Sequence, residues 1–258
     1  GAAQDYFAQA LAIRQRVLGT DHPATAQSLN GLGTVLCEQG HFAEGRNHFA
    51  QALAIRQRVL GADHPDTARS LHNLGQILTV QGHYPAAQGY LEQAVAIRQR
   101  VLGPDHPRTA QTLQNLGAVL FEQGQYGAAQ DYFAQALAIR QRALGTDHPD
   151  TARSFHNLGE VFMAQGQYGV AQDYFAQALA IRQRALGTDH PDTARSLRGV
   201  GEVLHAQGDA TQARCYLEQA LVIFAQRLGP QHPDTEQTRQ LLAALNADPL
   251  ADERGLGG

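Results

Sequence analysis

The chain has 258 residues, 43% apolar and 17% charged, with a formal net charge of -4. That balance is globular, and no apolar run is long enough to suggest a membrane span. The acidic charge excludes nucleic acid as the expected partner. All twenty basic residues are Arg, so no lysine is present for Schiff-base or phosphate-loop chemistry.

The chain opens on GAAQDYFAQALAIRQR, a helical pattern identical to residues 127–142. It therefore starts in mid-unit and reads as a piece of something longer. Next comes LGTDHPATAQS, whose His22-Pro23 pair recurs at His64, His106, His148, His190 and His232, always 42 residues apart. A fixed period of this size signals stacked supersecondary units. Residues 63–104 show one unit. Ala68, Leu71, Leu74, Gly75 and Leu78 share one helix face, as spacings of three and four require. Gln81-Gly82 ends that helix A, and a helix B follows through Tyr84, Ala87, Leu91, Ala94 and Ile97 to Gly103. The joint LGADHPDTA reads as a stop and restart. Gly61 ends a helix, Asp63 is expected to cap the next, Pro65 suits its first turn, and Asp66 favours its positive end.

The predicted chain order is a half unit (1–20), five full units (21–62, 63–104, 105–146, 147–188, 189–230) and a terminal helix (231–246). All twelve helices form one all-α solenoid over 1–246. Residues 247–258 leave the pattern and are expected to fray.

The set Leu71, Leu74, Gly75, Leu78, Tyr84, Ala87, Leu91 and Ala94 resembles the tetratricopeptide repeat. The longer unit, with its extended helix B and DHP joint, is similar to those of kinesin light chains and many bacterial tetratricopeptide arrays. The resemblance implies stacked antiparallel helix pairs in a right-handed superhelix, with a concave groove lined by helices A. Carried over residue by residue, the groove positions are Asn30 and Thr34 in the first unit, Arg69, His72 and Gln76 in the second, and Gln114 and Phe121 in the third. The fourth supplies Arg153, His156, Glu160 and Met163, and the fifth Arg195, Arg198 and Glu202. The arginines would draw acidic groups of a peptide, and Phe121 or Met163 would take an apolar anchor. The family's usual Trp is missing; Leu29, Leu71, Leu113, Phe155 and Leu197 stand in its place.

Other features read as structural. The six joint histidines suggest a metal ladder, but ligands must converge within about 2–2.5 Å of one ion while neighbouring helices stand about 8–10 Å apart. Capping is the expected role. The IRQR pairs, such as Arg56/Arg58 and Arg98/Arg100, read as a solvated face at the negative helix end. Ser28, Ser70, Ser154 and Ser196 recur as small helix residues, not as nucleophiles. Cys37 and Cys215 lie far apart in the array, which fits a reducing, cytoplasmic setting. No catalysis, cofactor, metal or membrane contact is expected. The leading function is a scaffold that binds a peptide or partner segment. Alternatives are the sensor arm of a larger bacterial signalling or defence protein of the STAND-type ATPase kind, and a module that associates head to tail with itself.

Overall fold

The computed structural model describes residues 2–247, and among them every element is a helix. In chain order these are α1 (Ala2–Leu18), α2 (Pro23–Glu38), α3 (Phe42–Leu60), α4 (Pro65–Val80), α5 (Tyr84–Val101) and α6 (Pro107–Glu122). Then follow α7 (Tyr126–Leu144), α8 (Pro149–Ala164), α9 (Tyr168–Leu186), α10 (Pro191–Ala206), α11 (Ala210–Arg227) and α12 (Pro233–Ala247). The expected tail at 247–258 lies outside the described residues, apart from the backbone of Ala247.

The chain divides into two compact units, Gly1–Tyr132 and Phe133–Gly258, with the division inside α7. In the first, α2 packs on α3 and α4 on α5, the pairs join through α3 on α4, and α5 meets α6. In the second, α8 pairs with α9 and α10 with α11, while α9–α10 and α11–α12 make the joints. Helices A also touch one another, α4 with α6 and α8 with α10. Each unit is thus a stack of antiparallel helix pairs, the solenoid architecture that the 42-residue period predicts.

Each turn from helix A to helix B is a Schellman cap. After α4, the N–H of His83 donates to Leu78 O at 2.8 Å and that of Gly82 to Thr79 O at 3.0 Å. Gly82 has φ +74°, a left-handed conformation that costs glycine nothing. Tight turning brings the two helices of a pair close together. A Cβ on Gly75 would stand 2.5 Å from Leu91 Cγ, so only glycine fits at that crossing. Around it, Phe49, Leu53, Leu71, Leu74, Ile77 and Ile97 are buried together with Ala68 and Ala94. Each large apolar side chain of this kind contributes roughly 1.5–3 kcal/mol through burial. The second unit repeats the plan with Ala171, Phe175, Val200, Val203, Ala213 and Leu245.

Candidate functional site

The joints set where every helix A begins. At Gly61 the chain leaves α3 with φ +91°, and its carbonyl accepts a 2.8 Å bond from Thr67 Oγ1. His64 is the N-cap: its backbone is extended, and its Nδ1 accepts from the Asp66 N–H at 3.1 Å. The same bond forms at His22, His106, His148, His190 and His232, at 3.0–3.2 Å. Capping therefore belongs to the histidine and not, as expected, to the preceding aspartate. Asp63 instead reaches Arg100, as Asp21 reaches Arg58. These outer pairs are exposed and contribute little.

The first arginine of each IRQR corrects the solvated-face expectation. Arg56, Arg98, Arg140 and Arg182 are buried, with 1–5% exposure. Each spans a joint to the next helix A. Arg56 Nη1 donates to Asp66 O at 3.1 Å and to Ser70 Oγ at 2.6 Å. Arg182 does the same with Asp192 O at 2.9 Å and Ser196 Oγ at 2.8 Å. Burial pushes the pKa of each of the four down to about 10, still well above neutrality, so the charge persists at pH 7. The recurring serines are therefore acceptors for a buried guanidinium, a role that being small does not explain.

The last joint departs from this scheme. Phe224, fully buried, replaces the clamp arginine. The guanidinium comes from helix A instead: Arg198 lies 5.6 Å from the Phe224 ring centre and donates to Asp234 Oδ1 at 3.0 Å. Arg195 Nη2 donates to Asp234 Oδ2 at 2.9 Å. Burial pushes the Asp234 carboxyl up, but the bonds and charges of Arg195 and Arg198 outweigh it and hold the group below its ordinary value.

The other candidate groove residues also have neighbours within the protein. Asn73 Nδ2 donates to Asn30 Oδ1 at 3.1 Å, and Thr34 donates to the Asn30 carbonyl. Arg69 pairs with Asp66 at 3.0 Å and Arg153 with Asp150 at 2.9 Å. His156 lies 3.5 Å from Glu160 and 5.2 Å from the Phe175 ring. Glu202 sits 3.4 Å from Arg198, and burial raises its carboxyl pKa. Phe121 leans on Tyr126 at 5.3 Å. His72 and Gln114 are buried, at 3% and 5% exposure. Burial, then the charge of Arg98, pushes the His72 pKa down to about 3.

Three cavities collect the remainder. One of 370 Å³ lies between α2 and α4, walled by Thr34, Cys37, Phe42, Phe49, Gln76, Ile77 and Val80 with Glu38 at hand. Another of 250 Å³ is lined by Met163, Glu202, His205, Ala206, Leu217 and Leu241. The two share repeat positions: Cys37 corresponds to Met163, Gln76 to Glu202, and Val80 to Ala206. The third, of 230 Å³, contains Arg69, His72 and Gln76 together with Arg98, Arg108 and Gln111. Sequence reasoning read Arg98 as solvated charge and passed over Arg108. The available signal was that Arg108 stands where four other joints carry Asp66, Asp150, Asp192 and Asp234.

Among the described residues no group of three or more His, Cys, Asp or Glu could hold a metal ion, and no helix is long and apolar enough to cross a membrane. The two cysteines are free thiols.

Paired helices, glycine crossings and recurring joints define a helical-repeat protein of the kind that mediates contacts between proteins. The tetratricopeptide repeat family model matches residues 1–44, 29–100, 77–142, 115–183 and 150–226. The chain belongs to the tetratricopeptide repeat family. Nearly identical TPR-like repeats from a kinesin-light-chain-type protein of Podosopora anserina are 28% identical to it, with a TM-score of 0.68 over 80% of this chain and 97% of that one. A point variant of the same repeats gives 0.69. BtubC (BKLC) from P. vanneervenii, at 22% identity, shares the fold with a TM-score of 0.74 over 90% of this chain and 93% of that one. No curated protein matches the chain.

Proposed function

We propose that the chain is a non-enzymatic, cytoplasmic interaction scaffold that receives a partner segment along its helices A, with residues 1–246 acting as one repeat array. The partner-facing positions are those named from the repeat: Asn30, Thr34, Arg69, Gln76, Phe121, Arg153, Glu160, Met163, Arg195, Arg198 and Glu202, with His72, Gln114 and His156 behind them. The observation that supports this reading is the pair of cavities at equivalent repeat positions. Each is mostly apolar-walled, opens between consecutive helices A, and has an acidic side chain at its rim, Glu38 in one and Glu202 in the other. Cavities of this kind accept a single apolar side chain, the usual anchor of a protein interface.

Val80 offers the cleanest test, because it is 64% exposed and supports no core. A partner recovered with the full chain as bait is expected to bind Val80→Asp and Met163→Asp at least tenfold more weakly, with unchanged circular dichroism. Equal affinity for both variants rejects the helix A face as the binding surface.

A further inference from the structure

The 230 Å³ cavity between α4, α5 and α6 differs in charge from every comparable place within either compact unit. Between α8 and α10, Arg153 and Arg182 face Asp150 and Asp192. Between α10 and α12, Arg195 and Arg198 face Asp192 and Asp234. Between α2 and α4, Arg56 and Arg69 stand with Asp66. None of these carries more than one surplus positive charge. Between α4 and α6, however, Arg69, Arg98 and Arg108 share the cavity with the single carboxylate of Asp66. His72 adds no charge at neutral pH, since burial and Arg98 hold its pKa near 3. Two positive charges are left without a counterpart.

A polar atom in the same place also lacks a partner. Arg69 Nε is shielded from solvent and has no hydrogen-bond partner. The Arg108 guanidinium meets no carboxylate among the described residues, although its backbone N–H caps on His106 and its carbonyl accepts from Arg98 at 2.7 Å. Arg98 itself is 5% exposed, and after burial the like charges of Arg108 and Arg69 are what lower its pKa. A pocket with two surplus positive charges, set over a buried guanidinium, attracts an anion of matching charge. The cavity has far more room than a single water needs, and guanidinium forks suit tetrahedral oxyanions.

We propose that this cavity is a binding site for a phosphate dianion, free or as a phosphate monoester, gripped by Arg69 and Arg108 over the buried charge of Arg98. A phosphate monoester carries about two negative charges at neutral pH, which neutralises the surplus; a carboxylate neutralises only half. Gln111 and Gln76 are placed to donate to remaining oxygens. The site lies wholly in the first compact unit. It does not depend on the partner-groove reading, because its ligand can be supplied without any partner.

The test titrates the full chain by calorimetry with inorganic phosphate, O-phosphoserine and acetate at constant ionic strength. Saturable one-to-one binding is expected for both phosphates, at least tenfold tighter than for acetate. The stronger of the two shows whether the free ion or the monoester is the better fit. Arg108→Asp, which installs the residue of the other joints at an exposed position, is expected to weaken phosphate at least tenfold. Arg108→Gln provides the same reading should the aspartate variant fold poorly, and Arg184→Gln, in an exposed outer pair of the second unit, is expected to leave binding unchanged. Phosphate that does not saturate, acetate that binds equally well, or Arg108 variants that bind like the parent protein overturn the site.

Discussion

At Ser70 one hydroxyl decides how a buried charge is accommodated. It lies 2.6 Å from Arg56 Nη1 at the far side of a joint, where the guanidinium has little other solvation. Hydrogen bonds to charged groups contribute more than neutral ones, so Ser70→Ala is expected to lower unfolding free energy by about 1.5–3 kcal/mol. Urea denaturation measures it, and a change below half a kilocalorie rejects the clamp as a stabilising bond. His72 gives a pH signature. Its folded pKa of about 3 lies below the ordinary 6.5, so below pH 6.5 the unfolded chain takes up a proton that the folded chain refuses. Stability therefore drops as pH falls from 6.5 toward 3, by about 2 kcal/mol at pH 5 for this group. His72→Gln is expected to lessen the difference in urea midpoint between pH 7.5 and pH 5; an unchanged difference shows that His72 is not its source.

At the level of elements, helix positions were legible and their fastenings were not. Each helix A begins at a His-Pro and each stop from α1 to α11 falls at a glycine, because those residues carry their conformational constraints with them. The A–B crossing was also legible, since Gly75 recurs on a helix face otherwise made of leucines. Gly75→Ala would force Leu91 aside from a 2.5 Å approach and is expected to cost about 1–3 kcal/mol. A loss of no more than a few tenths in thermal unfolding would mean that the helices part freely. By contrast, the Arg56–Ser70 bond joins residues fourteen apart in the sequence, across a turn that resets the helical phase. No hydrophobic period reveals such a pair, and an arginine near a helix end looks like solvated charge until the next helix folds over it. Candidate site residues divide in the same way. Thr34, Gln76, Met163 and Glu202, named from the resemblance as groove positions, stand at cavity walls. The resemblance did not anticipate that His72 and Gln114 would be buried, or that Arg195 and Arg198 would meet on Asp234. Those outcomes depend on the neighbouring unit and not on the helix that carries the residue.

Within each compact unit, packing runs almost entirely between sequence neighbours. Repeat proteins of this kind add stability unit by unit. Ser70→Ala and Ser196→Ala lie in different compact units and share no hydrogen-bond partner, so their costs are expected to sum to within about 0.5 kcal/mol in the double variant. A larger discrepancy in urea unfolding would reveal coupling between the units. The joints themselves address mainly the main chain: His64 accepts from a backbone N–H, Thr67 donates to a backbone carbonyl, and Arg56 donates to another. Position 66 contributes only its backbone N–H and carbonyl to those bonds, which is why Asp66, Arg108 and Ala24 all serve there. Cutting out residues 63–104 would bring together two ends that fit the same socket. The joint is thus an interchangeable coupling, and a gene built from it can lengthen, shorten or shuffle its steps while leaving recognition side chains free to diversify.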